Sequence, residues 1–176
     1  KRGLSNLKST PEALDVYSKK ATKELFARHN VMNDLEIHAR HEIMLENFIK
    51  KVQIESRVMG DLALNHVIPT AILYQNKLIQ NANGLKGLGL DHSAAVETIK
   101  EVSKHIESLK SNVTAMTEAR KQLNKEDDIV KRAKGYQTDV KEAYFEKIRY
   151  AVDKLELLVD DESWPLVKYR EMLFIR

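Results

Sequence analysis

The 176-residue chain contains no cysteine, which excludes a disulfide framework, a thiolate metal site and a cysteine nucleophile. Glycine and proline are scarce, at six and three residues. Their scarcity disfavours a turn-rich β fold and, beside abundant Leu, Ile, Ala, Glu and Lys, favours helix. No charge dominates, because 29 basic residues are interspersed with 26 acidic ones. Nucleic-acid binding asks for a concentrated basic stripe, whereas Lys19-Lys20 and Lys50-Lys51 read as solvated helix faces. No apolar run approaches the roughly 20 residues of a membrane span. The start, KRGLSNLKSTPEALD, has neither an apolar signal region nor an initiator Met. These absences fit a soluble, reducing, cytoplasmic setting and a chain excised from something longer.

What is present is helical periodicity. Thr10-Pro11-Glu12 reads as a helix start, with a hydroxyl cap, a proline in the first turn and a carboxylate behind it. Short helices are expected over about 11–17 and 19–28, with His29 at the exit. Asn33 or Asp34 then caps a long helix whose stripe includes Leu45, Phe48, Ile49, Val52, Met59, Leu62, Ala63, Val67 and Ala71. The reading is all-α: a bundle of long antiparallel helices over about 34–83, 92–124 and 126–159, with short helices at both ends. NANGLKGLGLDHS reads as the loop after the first long helix. A short connection around Asn124 and Lys125 makes the other two a hairpin.

Two segments depart from a plain amphipathic pattern. From Leu62 to Leu73 apolar residues cover almost the whole circumference, so the segment is expected to be enclosed. Asn65 and His66 become the expected polar detail of that core, and Pro69 predicts a kink or break just before it. At the other end, Ser163 is expected to cap a last short helix. The tail WPLVKYREMLFIR brings Trp164, Tyr169, Leu173 and Phe174 together in a segment that should dock on something.

Candidate chemistry is sparse. His38 and His41 sit three apart with Glu42 adjacent, but zinc proteases use His-Glu-x-x-His, and di-iron bundles need paired Glu-x-x-His motifs. Both histidines therefore read as solvated. His66 lacks the Lys and Gly that usually follow a phosphotransfer histidine; Val67-Ile68-Pro69 stand there instead, so it reads as structural. Gly84, Gly87 and Gly89 form a superficial GxxGxG with no strand before it and no Lys-Ser/Thr after it. The pairs Asp127-Asp128 and Asp160-Asp161 fall at helix boundaries, where carboxylates cap. No catalytic, cofactor-binding or metal residue is assigned.

Three groups of residues resemble the C-terminal portion of type III glutamine synthetases, the long-subunit bacterial form. They are LSNLKSTPEALDVY at 4–17 with EIHARHEIMLENF at 36–48, IESRVMGDLALNHVIPTAILYQN at 54–76, and IRYAVDKLELLVDDESWPLVKYREMLF at 148–174. The resemblance covers nearly the whole chain and is weakest around 85–125. It implies that 1–50 are the tail end of the catalytic domain and 51–176 a type III-specific helical domain. It also implies a parent enzyme making glutamine from glutamate, ammonia and ATP through γ-glutamyl phosphate, with Mg or Mn ions. The implied architecture is a ring-shaped homo-oligomer, so the partners would be an upstream catalytic domain and neighbouring subunits. The family's catalytic groups lie upstream, so none transfers to a residue here. The competing reading is a free-standing helical interaction or sensor module.

Overall fold

The computed structural model describes residue 3 and residues 5–173, without the side chains of Tyr169 and Arg170. The fold is all-α, and no strand occurs among the described residues. In order the elements are α1 (Thr10–Leu14), a 3-10 turn (Asp15–Ser18), α2 (Lys20–Arg28), α3 (Asp34–Leu62), a π-helical turn (Ala63–Val67) and α4 (Ile68–Gly87). Then follow α5 (Ser93–Leu123), α6 (Ile129–Gly135), a π-helical stretch (Tyr136–Phe145), α7 (Glu146–Leu158) and α8 (Tyr169–Met172).

Helix ends follow local chemistry. Ser9, not Thr10, caps α1: its hydroxyl accepts from the Glu12 amide, and the Glu12 carboxylate accepts from the Ser9 amide. This is a reciprocal capping box, displaced by one residue from the sequence expectation. Asn33 and Glu36 form the same arrangement at α3, at 2.9 and 2.8 Å. Asp128 caps α6 by accepting from the Val130 and Lys131 amides. The expected loop at 81–93 is shorter than the glycines suggest, because Gly84 and Gly87 are helical. Only Gly89 leaves the helix, at φ +72. The Leu90 amide donates to the Leu85 carbonyl across it, which closes α4 with a left-handed cap.

The break expected at Pro69 is instead a change of register. Proline has no amide hydrogen, and its ring crowds the carbonyl four residues back. The helix answers with the π turn: the Ile68 amide donates to the Ala63 carbonyl, five residues back. Residues 34–87 therefore stay helical with Pro69 in the first turn of α4. The second π stretch is longer than a single bulge, and no proline or glycine lies within it.

The chain divides into two compact units, 1–57 with 116–143, and 58–115 with 144–176. In the first unit the buried positions on α3 are Ile37, His41, Leu45, Phe48, Ile49, Val52 and Ser56, joined by Met116, Ala133, Tyr136 and Val140. A side-chain triangle organises it. The Gln53 amide donates to the Asn124 carbonyl oxygen at 2.8 Å and to the Tyr136 hydroxyl at 2.9 Å. That hydroxyl donates to the same Asn124 oxygen at 2.6 Å. Two outlying pairs pin the N-terminal segment: Lys134 with Asp15 at 2.6 Å, and Ser18 with His41 at 3.3 Å.

In the second unit the buried apolar set is Ala63, Val67, Ile68, Ala71, Ala82, Val102, Leu109, Val113, Ile148, Ala151, Leu155, Val159 and Trp164. The Gln75 amide ties α4 to α5 by donating to the Ile99 carbonyl at 3.3 Å and to the Ser103 hydroxyl.

Tyr136 is fully buried, and the triangle supplies the only partners its hydroxyl has among the described residues. Tyr136→Phe should lower stability by about 1 kcal/mol, the net value of a buried hydrogen bond. Urea melts of the two proteins would measure it, and equal midpoints would show the triangle to be idle.

Candidate functional site

Among the described residues the polar side chains are spread over both units. Among the described residues no three His, Asp or Glu side chains are placed to hold one metal ion. His38 is exposed and pairs with Glu42 at 3.4 Å. His41 corrects the expectation of a solvated histidine, being only 5% exposed. It lies one turn from both Ile37 and Leu45, so it sits on the buried stripe, under the 3-10 turn that carries Ser18. Its Nε2 is buried without a hydrogen-bond partner. The two histidines therefore turn away from each other, and the pair makes no ligand set.

Asn65 and His66 are not in the core where the sequence reading puts them. Both are exposed, and the Asn65 amide donates to Asp61 one turn back. The register change explains the error: Ala63, Val67, Ile68 and Ala71 face inward, and the residues between Ala63 and Val67 face out. The same change leaves Leu64, Ile72 and Leu73 exposed, Leu73 by 64%. The segment is apolar all round but is enclosed on one side only.

The tail divides. Trp164 is buried, and its amide donates to the Asp160 carbonyl. Lys168 lies over the indole at 5.9 Å, donates to the Glu156 carbonyl at 3.1 Å and pairs with Asp161. Leu173 is 78% exposed and does not dock. The Tyr169 side chain and Phe174 fall outside the described residues. Ser163 begins no helix; its amide and hydroxyl donate to the Asp160 carboxylate at 2.8 and 2.9 Å. These bonds, the hydroxyl's first, hold the Asp160 carboxyl below the usual carboxylate range, with Lys77 adding its charge. Beside this turn Leu166 forms one wall of a mostly apolar recess of about 170 Å³, with Met59, Leu62, Val67, Ile148 and Val152, and Arg149 also lines it.

His105 is the buried histidine of the second unit. The edge of Tyr150 meets it at 6.2 Å between ring centres, and Glu101 lies 3.9 Å from its Nε2. Burial holds its pKa below the ordinary value; Glu101 opposes this, and Lys104 and Lys154 reinforce it. It has no nucleophile beside it and reads as packing.

The fold thus defines an all-α region. Residues 1–86 match the family described as the glutamine synthetase C-terminal domain. The chain is 41% identical over its full length to a glutamine synthetase of Bacteroides fragilis (strain YCH46), covering 25% of that protein. It is 29% identical to a type-3 glutamine synthetase of Dictyostelium discoideum, with 99% of this chain and 24% of that protein aligned. A Butyrivibrio fibrisolvens glutamine synthetase is 27% identical, over 99% of this chain and 25% of that protein. The chain is thus similar to the glutamine synthetase C-terminal domain family over residues 1–86, and it spans about a quarter of the length of the curated relatives it matches.

Two outcomes follow from these sites. Removing the docked indole with Trp164→Ala should cost about 3 kcal/mol, as for large aromatic truncations in cores; a change under about 0.5 kcal/mol would place the indole outside the core. For His105 the folded pKa lies below the unfolded one. Its contribution is therefore complete above the unfolded value, about 6.5, and is lost as pH falls toward the folded value. His105→Leu should flatten the stability profile between pH 7 and 5, and a profile identical to the parent's would refute the assignment.

Proposed function

We propose that this chain is the helical C-terminal region of a glutamine synthetase and supplies packing and assembly surface, while other parts of the enzyme supply the reacting groups. The exposed apolar residues carry this reading. Leu35, Ile43 and Ile54 stand exposed in the first unit, and Leu64, Ile72, Leu73 and Ile79 in the second. Ile72, Leu73 and Ile79 share a face of α4 beside exposed Asn76 and Gln80. Clustered exposed apolar groups are commonly interaction surface. Burying each fully would contribute roughly 1.5–3 kcal/mol. The partners in this reading are the catalytic region and neighbouring subunits of a ring-shaped homo-oligomer.

The reaction implied for the whole enzyme joins ammonia to glutamate at the expense of ATP, through γ-glutamyl phosphate, with divalent metal ions neutralising phosphate charge. The residues here do not fit those ions: His38 with Glu42 is a two-group surface pair, and His41 is turned to Ser18. No step is assigned to this chain through the nucleotide or the metal. Its role is to hold the assembly in which that chemistry occurs.

The test is made in the full-length enzyme. Ile72→Asp with Leu73→Asp should shift sedimentation toward smaller assemblies and lower γ-glutamyl transfer. Stability of the 176-residue chain should change by no more than about 0.5 kcal/mol, as for surface substitutions. Unaltered assembly would count against this face as packing surface. The chain alone should show no γ-glutamyl transfer, and turnover by it would overturn the reading outright.

A further inference from the structure

The exit of α2 is closed by a left-handed turn. Asn30 takes φ +51. Its amide donates to the Ala27 carbonyl at 3.1 Å, and the Val31 amide donates to the Phe26 carbonyl at 3.0 Å. This double closure is a Schellman motif, with asparagine where glycine is commoner. It leads the chain directly into the Asn33 cap, so that Met32 shares a recess with α3. Tyr17 reaches the same recess from the 3-10 turn, and its ring stacks on Phe26 at 6.4 Å between centres. Tyr17, Met32, Ala39, Ile43 and Met44 wall a space of about 510 Å³ that opens to solvent. Small-ligand pockets span roughly 300–1,000 Å³.

Two opposite charges, Glu36 and Arg40, line this recess as well. They stand four apart on α3, a spacing at which helix side chains are neighbours, yet they form no ion pair with each other. The His38–Glu42 pair at the same spacing does close, at 3.4 Å. Glu36 is oriented by the cap: its Oε2 accepts from the Asn33 amide at 2.8 Å. Among the described residues its Oε1 accepts no hydrogen bond, and Arg40 has neither a hydrogen bond nor an ion pair. Both residues are exposed, so a ligand can reach them from solvent.

We propose that this recess binds a free α-amino acid with an apolar side chain. Such a molecule carries an ammonium and a carboxylate on one carbon, which lets it bridge an acid and a guanidinium one helical turn apart. The ammonium would donate to Oε1 of Glu36, and the carboxylate would accept from the guanidinium fork of Arg40. The side chain would lie against Met32 and Met44, whose flexible thioethers adapt to irregular apolar shapes. An apolar carboxylate without the ammonium would bring like charge to Glu36, and an amine without the carboxylate would do the same to Arg40. The charge pattern therefore selects the zwitterion. The site lies apart from the apolar face of α4 and does not rest on the assembly reading.

The chain contains five methionines, and labelling their methyl carbons makes Met32 and Met44 reporters in a magnetic-resonance titration of the intact chain. L-leucine at constant ionic strength should shift those two signals saturably. Isocaproate lacks the ammonium, isoamylamine the carboxylate and glycine the apolar body. Each should bind at least about tenfold more weakly, the equivalent of one charge-assisted hydrogen bond. Arg40→Gln should weaken L-leucine binding by a similar factor. Glu36→Gln should do likewise without loss of fold, because glutamine also serves at that position of a capping box. Absence of a saturable shift at Met32 and Met44 would overturn the site. So would isocaproate binding as tightly as L-leucine, or undiminished L-leucine binding by either variant.

Discussion

The constraint on which the long helix depends is a proline that cannot donate. Pro69 lies within a helical run from 34 to 87, and an ordinary α-helix would leave a carbonyl unpartnered and a ring in collision there. The π turn from Ala63 to Val67 absorbs this by moving one bond from four residues back to five. The cost of a break is avoided, but the faces of the helix rotate. One added residue turns the following side chains by about 100° relative to an uninterrupted α-helix. In the second unit this decides which members of an apolar run are buried: Ala63, Val67, Ile68 and Ala71 are inside, while Leu64, Ile72 and Leu73 are outside.

That rotation also marks where the sequence stops being legible. Class and element order follow from periodicity: the long helices, the Asn33 cap, the carboxylate caps and the short connection near Asn124 all lie close to their expected places. Positions that depend on register do not. Asn65 and His66 look buried because their neighbours are apolar, and only the π turn reveals that they face out. His41 shows the opposite error. Its spacing from Ile37 and Leu45 was a readable signal, but a stripe begun at Leu45 omits it. The Gly84 and Gly87 pair looks like a loop by composition, yet helix continues through both, since a packed helix tolerates the roughly 1 kcal/mol that each glycine costs against alanine. The Gln53–Asn124–Tyr136 triangle joins residues up to 83 apart in sequence, and no local pattern encodes it.

Catalysis requires polar groups that converge while retaining unused bonding capacity. Here most of that capacity is committed to holding helices in place. Gln53, Asn124 and Tyr136 bind one another; Ser18 holds His41; Lys77 and Ser163 share Asp160; Lys168 spans the indole and a helix carbonyl. Similarity to an enzyme family thus accompanies, in this region, polar groups that mostly bind one another.

The outer apolar residues sharpen this point through helix propensity. Alanine, glutamate or lysine would serve a solvated helix face better than isoleucine, whose branched side chain loses rotamer freedom against the preceding turn. Ile72 and Ile79 gain nothing from their positions while exposed, and Leu73 exposes apolar surface that water disfavours. Such residues become favourable once another surface covers them. Their presence on α4 is the observation behind the packing surface proposed above. The same helix that bends its register around Pro69 thus presents inward the residues that close its own unit and outward those that suit a neighbour.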